Sequence, residues 1–470
     1  MKGNQATRLA AGAAAFIFTL AILFTGCGGS GSMNNSTMLG GAQMASLQFR
    51  LGDSPADGVV AFEITVNSVV LNGSGGSTAN LLPAPSLVEL THTAGTTEPL
   101  VIANVPRGTY SSATVTVSNP EVTVINPQTG RPQELTVSLS SATVTVNFNP
   151  ALTVDAASSV VNFDFDLANS ITISGNTATV NPMFTVTVSQ VNQQEDDQDA
   201  EDGEVEDLRG AVTSTSTSSF MISGFNQPIN VNSSTEFEGV AGIGQLTMGM
   251  LVEIDGVTQP DGSILAKKVE AEVEDGVEGE HDDELEAEGI VTSVTGNPVT
   301  QFQVVTAEQS AAPSLPAPAL GSAFTVNVDA NTTFSVDQHR VDLSNLPFSA
   351  TFDATTLGLA QRVEAETDSA NASNITATKV RLKVQALSGT ASNVSGSGGS
   401  QTFTLTVAAD SAFALLTGQT TINVFLPSGT EIKGMSSVTA GSNVRVRGLL
   451  FFTGSSYNLV ASRIVAPESN

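Results

Sequence analysis

Valine and threonine alternate through most of this chain, in runs such as "SATVTVSN" (Ser112–Asn119) and "SATVTVNFN" (Ser141–Asn149). A period of two puts successive side chains on opposite faces of an extended backbone. Valines then collect on one side and hydroxyls on the other, which suits a half-buried strand and cannot form one apolar stripe along a helix. Sustained helical periodicity is nearly absent beyond the N-terminal segment, "TVAADSAFALLTG" (Thr406–Gly418) being a short exception. The fold class expected is therefore all-β, and 470 residues are enough for three or four domains.

The first residues read differently. Lys2 and Arg8 precede an apolar run, "LAAGAAAFIFTLAILFT" (Leu9–Thr25), which is shorter than the roughly 20 residues of a membrane span. A positive start, an apolar middle and small residues at the end describe a secretory signal peptide. It ends at "FTGC", which holds the one cysteine of the chain, Cys27. A secreted chain usually uses cysteines in pairs, and this one has no partner for a disulfide. The stretch resembles the lipobox of bacterial lipoproteins, with a small residue, Gly26, before the cysteine and Phe24 where leucine is usual. The resemblance implies a signal peptide over 1–26, diacylglyceryl on Cys27, and membrane attachment through that group. "GGSGSMNNSTMLGGAQMAS" follows as a flexible tether over 27–45. The expected address is the bacterial cell envelope, anchored at the outer membrane and facing the periplasm or the cell surface.

The formal net charge is −29, and it is concentrated. Glu195–Asp207 and Glu270–Glu288 hold 20 of the 46 acidic residues and no Lys or Arg. Phosphate binding needs clustered Lys and Arg, so nucleic acid is not an expected partner. The same balance argues against charge-driven docking on an anionic membrane. Tryptophan is absent and tyrosine occurs only at Tyr110 and Tyr457, which argues against a flat aromatic sugar platform. Glycan recognition by hydrogen bonds, or binding of another envelope protein, is left open.

From 46 to 192 the alternating runs are broken by turn signals at short intervals, which suggests an Ig-like β-sandwich. "GDSPADG" (Gly52–Gly58) separates two strands, and "VPRGTY" (Val105–Tyr110) feeds Tyr110 into another. These two motifs resemble those of a family from bacterial secreted proteins, domain of unknown function 4382; the resemblance implies a fold and no activity. Asp53 and Asp57 bracket Pro55, and are weak candidates for a cation site against the simpler reading of turn chemistry. Asp164 and Asp166 in "NFDFDL" share a strand face roughly 7 Å apart, a separation at which two carboxylates can hydrolyse a glycoside. With Phe163, Phe165 and Leu167 turned to the core, a solvated face is the simpler reading.

The remainder repeats one frame three times. An opening glycine (Gly210, Gly289, Gly389) is followed by a strand running into Thr-x-Phe/Ile (Thr235, Thr332, Thr430). A V-x-V-type strand (Val252, Val363, Val444) and an Ala-x-x-Val/Ile strand (Ala266, Ala377, Ala461) complete it. The glycine-to-alanine spacings of 56, 88 and 72 differ through inserted loops, notably "TAEQSAAPSLPAPALGS" in the second copy. This frame resembles the bacterial repeat family domain of unknown function 5666. About five strands per copy imply small OB-like barrels over 208–271, 288–385 and 386–467. A glycine is expected where a strand bends at a barrel corner.

The acidic segments 193–207 and 272–287 read as solvated, self-repelling linkers that hold independently folding units apart. Asp197, Asp199 and Glu201 mimic the start of a calcium loop, but Asp202 stands where the sharp turn needs glycine, so cation binding there would be weak. His281, Asp282 and Asp283 are too compact to form a site. His92, His281 and His339 are scattered, and no nucleophile motif, phosphate loop or metal motif accompanies them. No cofactor is expected. The sequence thus points to a non-enzymatic, lipid-anchored binding or spacer protein, with a carboxylate-dependent glycan hydrolase as the alternative.

Overall fold

The computed structural model describes residues 43–466, apart from 55, 83, 92, 94–96, 156–158, 191–203, 224, 226, 260–262, 272–284, 312–317, 338–340, 368–369, 372–373 and 397–399. Cys27, Asp197, Asp199, Glu201 and all three histidines lie outside the described residues. Among the described residues the regular structure is almost all strand, and the α-helices are the short Leu167–Ser170 and Ala412–Thr417. The second lies in the segment expected to be helical. Ser411 caps it, accepting from the Ala414 N–H at 3.2 Å, and Gly418 ends it at φ 70°. No described helix is long and apolar enough to cross a membrane.

The first domain packs two principal sheets. One has the order Phe184–Gln190, Ser159–Asp166, Met44–Ser54, Thr97–Pro106, and its two central strands run parallel. The other is built on the long strand Gly108–Asn126, flanked by Val59–Gly73 and Thr143–Val154. A small third sheet joins Ile171–Ser174, Thr177–Val180 and Thr136–Leu139. Alternation delivers Phe49, Phe62, Phe163 and Phe165 to one core, where Phe163 and Phe165 also meet Phe184 edge-on with ring centroids 6.1 and 5.0 Å away. Each fully buried ring of this kind contributes roughly 2–3 kcal/mol. Tyr110 is buried, and its hydroxyl donates to the Pro106 carbonyl at 2.7 Å, pinning the corner that "VPRGTY" begins.

The three copies share one topology. In the first, strands Ile229–Asn230, Ser219–Ile222, Glu204–Thr215, Leu251–Thr258 and Ile264–Ala271 pair in that order and close into a ring, with Glu236–Glu238 added alongside the last. The third copy closes identically through Thr421–Pro427 and Tyr457–Val465. In the second the closing strand is split, Asn374–Thr376 pairing one neighbour and Lys379–Leu382 the other.

The repeated residues meet one another. Gly210, Gly289 and Gly389 are the register partners of Val252, Val363 and Val444. A Cβ on any of these glycines would strike a backbone carbonyl of the next strand, Ser223, Val305 or Thr406, so close approach excludes every other residue. Thr235, Thr332 and Thr430 each donate a hydroxyl hydrogen bond to Ala266, Ala377 and Ala461, at 2.8, 2.7 and 2.9 Å.

Several expected boundaries move. The first sandwich strand begins at Met44, inside the expected tether. The first barrel begins at Glu204 and the second at Leu285, both inside segments read as solvated linkers. In "EVED" and "LEAEG" the buried Val205, Leu285 and Ala287 keep the two-residue period, which the density of charge disguises.

Residues 42–470 form one compact unit, which corrects the expectation of units held apart. Val60, Ala61 and Ile125 of the sandwich belong to the hydrophobic cluster of the third barrel. Leu449, Phe451 and Val460 of the third barrel belong to that of the second, and Ile102 of the sandwich to that of the first. Thr258 donates to Gln48 at 2.8 Å across the sandwich–first barrel junction. Gln361 donates to the Leu450 carbonyl at 2.8 Å between the second and third barrels.

Candidate functional site

The densest group of functional side chains in the described residues lies between the first and second barrels, and alternation builds it. In "VEAET" (Val363–Thr367), Val363, Ala365 and Thr367 are buried in the barrel wall, which turns Glu364 and Glu366 outward. In "KVRL" (Lys379–Leu382), Val380 and Leu382 point in and Lys379 and Arg381 out. The register then sets Glu364 opposite both Glu288 and Arg381, and Glu366 opposite both Glu286 and Lys379. The first barrel presents the outer face of Ile264–Ala271 in the same way. There Glu270 pairs across with Glu253 on one side and Glu238 on the other.

These faces enclose a cavity of about 250 Å³ lined by Glu238, Glu253, Glu270, Glu286, Glu364, Glu366, Lys379 and Arg381, together with Gly239 and Ala271. Carboxylate oxygens of Glu286, Glu364 and Glu366 lie within 4.8 Å of one another. Arg381 bridges the barrels through an ion pair with Glu270 and lies 3.7 Å from Glu364 and 3.6 Å from Glu366. Lys379 approaches Glu366 at 3.1 Å. Lys268 joins Glu270 at 2.8 Å and Glu238 at 3.0 Å. At the back of the cleft Lys383, 2% exposed, is ringed by Asp337, Glu253, Glu364 and Glu288 at 3.4, 3.6, 3.7 and 3.9 Å. Arg362 pairs with Glu288 beside it.

Two carboxyl groups of this cleft are driven apart. Burial alone would raise Glu270, but Arg381 and then Lys268 outweigh it and hold its carboxyl down at about 2. Burial and the neighbouring Glu364 raise Glu366, against the pull of Lys379 and Arg381. Burial works against the positive charges of Arg381 and Lys268, yet the surrounding glutamates raise both. All-oxygen donors such as Glu286, Glu364 and Glu366 suit a hard divalent cation, but Lys379 and Arg381 already compensate that charge.

The residues singled out in the sandwich are not assembled into a site of their own. Asp53 is in the strand Met44–Ser54 and 2% exposed. Asp57 sits in the turn that follows and lines one cavity with Ser388 of the third barrel, while its carbonyl accepts from the Ala412 N–H at 2.7 Å. Asp166 caps the helix Leu167–Ser170, accepting from the Asn169 N–H at 3.1 Å. Asp164 is half-buried and lies near Asp53, so the solvated face expected for it is in part covered. The cleft glutamates escaped the sequence reading because Glu270, Glu286 and Glu288 merge into an acidic run. The alternation "LEAEG" against "KVRLK" carries the signal, and only the pairing of strands distant in sequence makes it a cluster.

Residues 44–182 match the family model described as Domain of unknown function (DUF4382), and residues 209–270 match that described as Domain of unknown function (DUF5666). The first match lies N-terminal to the second. The second match falls on the first barrel, and the other two barrels repeat that barrel's register and its glycine, threonine and alanine contacts. No curated protein matches the chain.

Proposed function

We propose that this protein is a non-enzymatic, lipid-anchored scaffold of the bacterial cell envelope. In this reading Cys27 holds the membrane, the tether spans the gap, and four locked β-modules present surfaces to an envelope protein or a glycan. The observation that carries it is the sharing of hydrophobic clusters across module borders, as with Val60, Ala61 and Ile125 in the third barrel's core. An interface built like a domain interior holds its modules in fixed relation, which suits presentation of surfaces better than passive spacing. The charged cleft supports the same reading, since its ion pairs span two barrels as a clamp.

Mass spectrometry of the membrane fraction tests the anchor. The wild-type chain should carry diacylglyceryl on Cys27, and Cys27→Ser should move the protein to the soluble fraction. An unmodified cysteine, or a variant that stays with the membrane, would overturn it.

One observation favours the hydrolase as a second reading. A carboxyl held low (Glu270) and one raised (Glu366) share a cavity, a separation of acid from base that glycosidases use. Turnover of a glycan panel that drops about 100-fold or more in Glu366→Gln would support it. No turnover by the wild type, or equal turnover by the variant, would remove it.

A further inference from the structure

Where the sandwich meets the second and third barrels it buries Asp53, Glu63 and Glu89, with Asp57 half-buried beside them. Glu63, on Val59–Gly73, is 7% exposed. Its direct cross-strand neighbours are Glu89 on one side and Glu121 on the other, and Glu134 acts on it from the next strand. The second barrel covers it with a tight turn at Gly321, φ +68°. A Cβ there would stand 3.1 Å from Glu63 Oε1 and 3.2 Å from Thr123 Oγ1, so the turn lies directly on the carboxyl. That turn offers Glu63 no donor. The Gly321 N–H donates to the Thr306 carbonyl at 2.7 Å, and the Gly321 carbonyl accepts from Thr123 Oγ1 at 3.0 Å. The donors on this face go instead to Glu89, which accepts from the Phe62 N–H at 2.8 Å and from the Thr91 N–H and hydroxyl. Glu63 Oε1 is buried with no hydrogen-bond partner.

At the junction with the third barrel, Asp57 meets Ser388, with Arg445 and Asp410 as the charged groups facing it. Asp53 lies beside Asp164, Arg445 and Glu89, and both its carboxyl oxygens are buried with no hydrogen-bond partner. Arg445 is therefore the cation that faces both aspartates, and among the described residues the charged groups acting on Glu63 are Glu121, Glu89 and Glu134.

We propose that this face is a proton-operated latch: protonation seats the sandwich on the second and third barrels, and loss of the protons as pH rises through neutrality loosens that junction. Burial and then Glu121 push Glu63 up to about 7. Burial pushes Asp57 up to about 6 against the pull of Ser388, and burial with Asp164 holds Asp53 well above the usual range. A carboxyl raised on docking binds its proton more tightly in the docked state, so docking is strongest below the undocked value and weakens as pH climbs through the docked one. The latch stands apart from the anchor and scaffold reading, since it concerns only contacts inside the folded chain.

Hydrogen exchange of the full chain tests it. The Ala412 amide, whose bond to the Asp57 carbonyl crosses the junction, reports docking. The Val269 amide, in the first barrel's closing strand, is the control. After correction for intrinsic exchange, protection at Ala412 should fall about tenfold or more between pH 5.5 and pH 8, with Val269 unchanged. In Glu63→Gln combined with Asp57→Asn, which keep shape and remove two of the three titrating charges, that step should shrink several-fold. Protection at Ala412 that is flat with pH in the wild type overturns the latch without any variant. So does a step that survives unchanged in the double variant.

Discussion

The two large junctions of this molecule use the outer faces of strands in opposite ways. Between the first and second barrels the outward residues are charged and nearly every carboxylate meets a cation, with Lys383 and Arg381 at the centre. Between the sandwich and the third barrel the outward residues are mostly apolar, Val60, Ala61 and Ile125 joining the barrel's core. Of the carboxyls on that side of the sandwich, Asp53 and Glu63 are buried and Asp57 is half-buried, with Arg445 as the cation facing the two aspartates. Desolvation costs both junctions. The first offsets it by charge pairing and the second by keeping protons, so the two should fail under opposite conditions.

The largest effect should come from removing the central cation. Lys383→Ala leaves four carboxylates around a buried void, and breaking a buried pair by deleting one partner costs about 3–5 kcal/mol. Denaturant unfolding should show that loss. A change below about 1 kcal/mol would mean that the cleft is wet and screened, and that the charged junction does little to hold the barrels together.

Acid should separate the junctions by sign. Glu270 is held down at about 2, so its contribution is present above the ordinary carboxylate range and is lost as pH falls through about 2. That loss is about 3 kcal/mol and should disappear in Glu270→Gln. Asp57 and Glu63, at about 6 and about 7, contribute in the reverse direction, losing their share as pH rises through those values. Stability measured from pH 2 to pH 8 should therefore rise and then decline, the acid limb moving with Glu270 and the alkaline limb with Glu63. One limb governed by both residues would erase the distinction.

The smallest effect concerns what the three barrels share. Thr332→Val removes the hydroxyl bond to the Ala377 carbonyl while keeping side-chain shape, and should cost about 1 kcal/mol. Thr235→Val and Thr430→Val should cost the same, because the contact recurs at Ala266 and Ala461. Unequal costs would show that the second barrel's split closing strand changes how the contact is used.

Much of the fold was legible because it follows from a period of two. Alternation announced the strands, and the thrice-repeated glycine, threonine, valine and alanine announced residues that turn out to touch. Two things were hidden for physical reasons. At Glu204–Asp207 and Leu285–Glu288 the acidic residues swamp the pattern, although Val205, Leu285 and Ala287 still point inward. The cleft and the latch depend on which strands lie side by side. Glu364 meets Glu288 across 76 residues and Glu63 meets Glu121 across 58, a register no local pattern encodes. The turn at Asp57 shows the same limit. Its chemistry is that of a turn, as expected, but its role is to hold the first turn of a helix some 350 residues later.

The central claim is that sandwich and barrels form one cooperative body. Scanning calorimetry of the full chain, compared with a chain ending after Lys383, tests it most directly. The account predicts one transition for the full chain, with calorimetric and van't Hoff enthalpies agreeing. It also predicts a lower melting temperature for the sandwich and second barrel once Leu449, Phe451 and Val460 are removed from the second barrel's core. Several separate transitions in the full chain, with those of the sandwich and second barrel unmoved by the truncation, would contradict it.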